Sequence, residues 1–219
     1  MSFAGLLFDF DGVLIESEYA GNAHLAETLT ALGHPLSTED AMAHFMGLSG
    51  DQFLDAIAAW IGRPVPEAFH AMRAAEDARV VAEGVPPVKG AAAFVGALAP
   101  DLPRAIVSSS STRWIEAHLG HLGLRGSFAH IFSGREHVAR GKPAPDIYLH
   151  AAQALGIDIA NTLIIEDSPV GVTGAVASGG YVVGLCAGQH CAPDHGDKLR
   201  ALGARHIVHG FDEIAALIG

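Results

Sequence analysis

Short apolar runs alternate with longer stretches of helical periodicity along most of this chain. Leu6-Leu7-Phe8, Arg104-Ala105-Ile106-Val107, Ile131-Phe132, Leu163-Ile164-Ile165 and Tyr181-Val182-Val183 show little polar alternation, and Ile207-Val208 is a weaker sixth run. Runs of this kind predict strands buried on both faces. Between them lie amphipathic segments. One follows Trp114, Ile115, His118, Leu119 and Leu122 and ends at Gly123; another starts at Pro145-Asp146 and stops at Gly156. Alternating strands and helices predict an α/β fold, a parallel sheet with helices on both faces.

Residues 16–86 break that rhythm. The segment reads as helices without a strand: one from about Glu18 to Leu32, stopped by Gly33, and one opened by the capping box Ser49-Gly50-Asp51-Gln52. The second is expected to bury Phe53, Leu54, Ile57, Ala58 and Ile61. A third helix starts near Pro66 and runs towards Glu83. A helical block inserted after the first strand predicts a second domain joined by hinges near residues 14–16 and 85–90.

Composition narrows the function. Half of the 219 residues are hydrophobic, enough for a sizeable core, and 13 Lys and Arg against 24 Asp and Glu give a net charge of −11. So acidic a chain has no electrostatic footprint for a nucleic-acid backbone or an anionic membrane surface. The two cysteines, Cys186 and Cys191, make no disulfide framework, and the first residues reach Asp9 before a signal sequence could form, so a cytoplasmic location is expected. Residues 168–193 carry no Lys, Arg, Asp or Glu, yet their six glycines argue for a buried helix followed by a buried strand rather than a membrane span.

Four places carry candidate chemistry. Asp9 and Asp11 follow the first strand one residue apart, so in extended chain both face one side near the strand's C-terminal edge, although Asp-Gly is also ordinary turn chemistry. Ser108 to Ser111 run from the second strand into a helix start, which suits either an anion or a simple cap. Lys142, one of three lysines, lies in Gly141-Lys142-Pro143-Ala144-Pro145-Asp146. Glu166-Asp167 end another strand ahead of Ser168 as N-cap and Pro169 at the first helical position.

In this order, Asp9-Phe10-Asp11-Gly12-Val13-Leu14, Ser108, Gly141-Lys142-Pro143-Ala144-Pro145-Asp146 and Glu166-Asp167-Ser168 closely resemble the four motifs of the haloacid dehalogenase superfamily. The helical insert resembles that superfamily's alpha-helical cap group, and the resemblance covers essentially the whole chain. It implies a three-layer Rossmann-like core of residues 1–15 and 87–219, a cap of residues 16–86, and a first strand lying between the second and fourth. It implies Asp9 as nucleophile, Asp11 as general acid and base, and Ser108 and Lys142 as holders of the phosphoryl oxygens. Mg²⁺ would be held by Asp9, Asp167 and the main-chain carbonyl of Asp11, with Glu166 as a ligand or acting through water. Four carboxylates facing a phosphate dianion need such a hard cation to reverse the local field.

The reaction is expected to be hydrolysis of a small phosphorylated metabolite by a monomer or weak homodimer. Gly12, Ser109 and Ser110 in the core, and Glu18, Asn22, His44, Met46, Gly47 and Ser49 in the cap, are the expected substrate contacts. A phosphomutase is the alternative, but its cap lysine and arginine have no counterpart in Met46-Gly47-Leu48-Ser49-Gly50. A catalytically silent binding protein would not need all four motifs. No lysine occurs in 16–86 for Schiff-base chemistry, and Asp11 separates the chain from metal-independent dehalogenases. Arg73 and Arg79 are expected on a solvated helix face. Cys186, His190, Cys191 and His195 do not match a standard zinc spacing, and among 13 histidines they are expected to be ordinary local clustering.

Overall fold

The computed structural model describes residues 3–46, 48 and 50–219. Two compact units divide the chain, Met1–Glu16 with Pro86–Gly219, and Ser17–Val85, so each boundary lies one residue from the expected position.

The first unit is built on six parallel strands: β1 (Gly5–Phe8), β2 (Arg104–Ser108), β3 (His130–Ser133), β4 (Thr162–Glu166), β5 (Tyr181–Leu185) and β6 (His206–Val208). Their order is β3-β2-β1-β4-β5-β6. Consecutive strands lie side by side except β3 and β4, which are separated by β2 and β1, so β1 has β2 on one side and β4 on the other. There the winding reverses, and the C-terminal ends of β1 and β4 flank the crevice where such sheets bind ligands. Register sets the level of each motif, because Phe8 pairs with Ile106 and with Ile165. Asp9 therefore emerges level with Glu166, and its amide donates to the Ile165 carbonyl at 2.9 Å.

Helices α5 (Ala91–Ala97), α6 (Thr112–His121), α7 (Asp146–Leu155), α8 (Pro169–Ala177), α9 (His195–Ala201) and α10 (Phe211–Ile218) complete this unit. Leu7, Ile164 and Val182 pack on one side of the sheet with Ile147, Tyr148 and Ala151 of α7 and Val172 and Ala175 of α8. Phe8 points the other way, edge-on to Phe128 at 5.5 Å and beside Phe94 of α5, which in turn meets Phe211 of α10. Cover on both sides explains why the strands read as unbroken apolar runs. The charge-poor 168–193 region forms α8 and β5, with Ser168 accepting from the Gly171 amide as N-cap. Among the described residues, no helix is long and apolar enough to cross a membrane.

The second unit contains α1 (Ser17–Ala31), α2 (Thr38–Phe45), α3 (Gly50–Ile61) and α4 (Glu67–Glu83). Leu25, Leu29, Ala41, Phe45, Ile57 and Phe69 are central to its core. Helix α2 is absent from the sequence reading, although Ser37 and Asp40 carry its capping signal. The Ser37 hydroxyl accepts from the Asp40 amide at 3.0 Å and donates to its carboxylate at 2.8 Å. The expected cap of α3, Ser49, lies outside the described residues. Of the side chains expected to be buried by α3, Ile57 and Ile61 are buried, whereas Phe53, Leu54 and Ala58 are half-buried.

Phe128 is 1% exposed and supports Phe8 immediately before Asp9. Phe128→Ala is expected to lower the unfolding free energy by about 3–5 kcal/mol, read from urea denaturation, by removing buried area and leaving a cavity.

Candidate active site

Strand ends and helix starts bring the motifs together at the reversal point. Asp9 follows β1, Glu166 ends β4, Asp167 follows it, and Lys142 lies in the loop before α7. One carboxylate oxygen from each of Asp9, Glu166 and Asp167 lies within 4.8 Å of the other two, and all three residues are buried. The Lys142 ammonium stands between two of them, 2.8 Å from Asp9 Oδ1 and 2.6 Å from Glu166 Oε1. The Tyr148 hydroxyl donates to the same Glu166 oxygen at 2.6 Å. Tyr148 is a site residue that the sequence analysis passed over; it projects from α7, where its apolar neighbours disguise it as core.

Burial first, and the Glu166 charge second, push Asp9 from its ordinary 3.8 up to about 7, against the opposing pull of Lys142. Burial likewise raises Glu166, with Lys142 opposing. For Lys142, burial works against the charged form, but Asp9 and Glu166 prevail and hold the ammonium above its ordinary value. Lost hydration and neighbouring negative charge both disfavour the ionised form of these buried carboxylates.

Two glycines make the cluster sterically possible. A Cβ on Gly171, in the first turn of α8, would fall 1.9 Å from Glu166 Oε2, so only glycine lets the helix start against that carboxylate. Gly12 has φ of +74°, and a Cβ there would fall 1.9 Å from Asp167 Oδ2. Its amide donates to the Ile15 carbonyl at 2.8 Å. Gly12 is an expected substrate contact; its amide closes a turn, and its lack of a side chain leaves room for Asp167.

Asp11 faces a different set of partners. Its Oδ2 accepts from Ser110 Oγ at 2.7 Å and from Ser108 Oγ at 3.4 Å, while Oδ1 accepts from Trp114 Nε1 at 3.0 Å. The side chain of Asp11 is thus not part of the acidic trio, and only its main-chain carbonyl remains for the metal role implied by the resemblance. Ser110, an expected substrate contact, donates its hydroxyl to Asp11. Ser108 is buried at the end of β2 and accepts from the Ser110 amide at 3.0 Å, whereas Ser109 is exposed. Trp114 gave no sequence signal beyond its place in a helical apolar pattern.

The remaining expected contacts belong to the helical unit. Glu18 lies in the first turn of α1, and its carbonyl accepts from the buried Asn22 side chain at 2.8 Å. His44 packs against Trp60 with ring centroids 4.9 Å apart, and Met46 is exposed at the end of α2. Gly47 and Ser49 lie outside the described residues. Arg79 pairs with Glu76 and Glu83 on the surface, and Arg73 bonds to the Gly21 carbonyl and His24.

Comparison with known proteins identifies the family. The chain is 28% identical over 191 residues to 6-phosphogluconate phosphatase of Escherichia coli K12, covering 86% of this chain and 85% of that protein. It is 32% identical over 189 residues to hexitol phosphatase A of the same organism, covering 85% of each. A HAD family hydrolase from Deinococcus radiodurans R1, solved with bound phosphate and sodium, superposes with a TM-score of 0.87 at 34% identity, covering 98% of this chain and 95% of that one. The family model for a haloacid dehalogenase-like hydrolase matches residues 3–179, and the chain belongs to that family.

Proposed function

We propose that this protein is a Mg²⁺-dependent phosphatase acting on small phosphate monoesters. The observation that carries the reading is the buried Asp9–Lys142–Glu166 arrangement beside Asp167. It combines a carboxylate nucleophile, a fixed positive charge and a convergent set of hard oxygen donors. Asp9, Glu166 and Asp167 fit Mg²⁺ in donor type, and their excess of negative charge over Lys142 calls for a divalent cation. When bound, the ion neutralises charge on the acids and on the phosphate, allowing an anionic ester to approach.

In this reading a carboxylate oxygen of Asp9 attacks phosphorus, and the bond from phosphorus to the ester oxygen breaks. Asp11 gives its proton to the departing alkoxide, then takes one from the water that attacks the aspartyl phosphate, releasing phosphate and restoring Asp9. Lys142 and Ser108 hold the phosphoryl oxygens, and Trp114 and Ser110 aim Asp11. The helical unit takes the part of a specificity-setting cap. Relatives named for 6-phosphogluconate and hexitol phosphates support a phosphorylated sugar acid, sugar or polyol as substrate.

Asp9→Asn is expected to fold normally, because a neutral amide resembles the protonated acid, and to lose at least about a thousandfold in phosphate release from a chromogenic monoester. Substantial turnover by that variant would rule out Asp9 as nucleophile. Trp114→Phe keeps an aromatic side chain but loses the indole N–H bond to Asp11; kcat is expected to fall about tenfold or more, the worth of one hydrogen bond to a charged group.

Metal binding is expected to depend on pH with a definite sign. With Asp9 raised from 3.8 to about 7, this group makes the metal-free protein progressively less stable as pH rises across that interval. Mg²⁺ requires the ionised acid, so its apparent affinity weakens by up to about tenfold per pH unit below 7. The rise in Tm produced by a fixed Mg²⁺ concentration should therefore be larger at pH 8 than at pH 6.

A further inference from the structure

The loop joining β5 to α9 carries a second cluster of metal-ligating side chains, beside the acidic trio but chemically unlike it. One donor atom from each of His190, Cys191 and His195 lies within 4.8 Å of the other two. Both histidines are buried, and Cys191 is half-buried. From these residues we infer a binding site for a borderline-soft divalent cation of the Zn²⁺ class, held by His190, Cys191 and His195. The inference stands independently of the phosphatase reading.

Donor chemistry separates the two sites. Two imidazoles and a thiolate suit Zn²⁺ or Co²⁺, whereas Mg²⁺ prefers the all-oxygen trio. Distance supports the same conclusion. Zn–N of about 2.05 Å and Zn–S of about 2.3 Å give a tetrahedral edge of about 3.6 Å, and His190 Nε2 lies 3.6 Å from Cys191 Sγ.

Neighbouring groups orient the ligands. His195 Nε2 donates to the Asp167 carbonyl, which leaves Nδ1 carrying the lone pair in the neutral ring. A ring held through one nitrogen while the other is open is the usual second-shell arrangement of a metal-bound histidine. His190 Nε2 lies 2.9 Å from Asp167 Oδ2, so a cation bound at this nitrogen would displace the proton now facing that carboxylate. Cys186, also a free and half-buried cysteine, begins the same loop. Ion binding would release the Cys191 thiol proton to solvent and fix the 186–195 loop against Asp167.

His190 and Cys191 are adjacent in sequence, which is not a standard zinc-ligand spacing. Neighbouring residues in a loop can converge on one ion only when the backbone turns between them, and the Cys191 amide does close such a turn onto the Gly188 carbonyl at 3.1 Å.

The test uses the full chain, reduced, dialysed against chelator and kept in saturating Mg²⁺ to occupy the oxygen site. Zn²⁺ is added, excess is removed, and retained metal is measured; Co²⁺ is used in parallel for its thiolate charge-transfer absorption. The expected result is one Zn²⁺ per chain and a thiolate band in the Co²⁺ form. Cys191→Ser should abolish the band and weaken Zn²⁺ retention by at least about 100-fold, and His195→Asn should also weaken retention while Asp9→Asn leaves both readouts intact. The assignment is overturned if no Zn²⁺ is retained, if Cys191→Ser and His195→Asn both retain it as the parent does, or if Asp9→Asn rather than Cys191→Ser removes it.

Discussion

The structure depends on a lysine placed among buried carboxylates. Glu166 is completely buried, and the charge of Lys142 at 2.6 Å together with the Tyr148 hydroxyl at 2.6 Å is what makes that burial tolerable. Removing one partner of such a buried pair typically costs about 3–5 kcal/mol, because an uncompensated charge is left behind. The same contact fixes Asp9, since Lys142 reaches both acids. Site geometry and core stability are therefore coupled: the loop before α7, the end of β4 and the residue after β1 are held by one ammonium group.

Sheet topology makes that coupling possible. Reversal of winding at β1 places the ends of β1 and β4 side by side, and the shared register at Phe8 and Ile165 puts Asp9 level with Glu166. Close approach at Gly171 and Gly12 then lets backbone pass where any Cβ would meet a carboxylate oxygen. The result is a buried cluster of carboxylates, bordered on the β5 side by nitrogen and sulfur donors. Asp167 stands at the boundary, with its carboxylate in the acidic trio and also against His190.

Division of labour between the two aspartates of the first motif follows from their surroundings. Asp9 is enclosed with other acids and gains proton affinity by burial, whereas Asp11 is held by donors from Ser108, Ser110 and Trp114. Two residues apart in sequence, they face different chemical environments. Proximity alone could not assign those environments, because Trp114 lies more than a hundred positions along the chain.

Apolar runs, glycine stops and the four motifs determined the strands, most helices and the main acidic and basic residues, since these signals are local and depend on backbone periodicity. Helix α2 was also legible through Ser37 and Asp40, but its short apolar pattern was easily missed. Tertiary structure alone decided which partner each polar group meets. Tyr148 reads as core until its hydroxyl is seen on Glu166, and Trp114 reads as one more apolar helix position until its indole nitrogen is found on Asp11. The reason is physical: hydrophobic periodicity encodes which face is buried, whereas hydrogen bonds and ion pairs depend on distances between segments far apart in the chain.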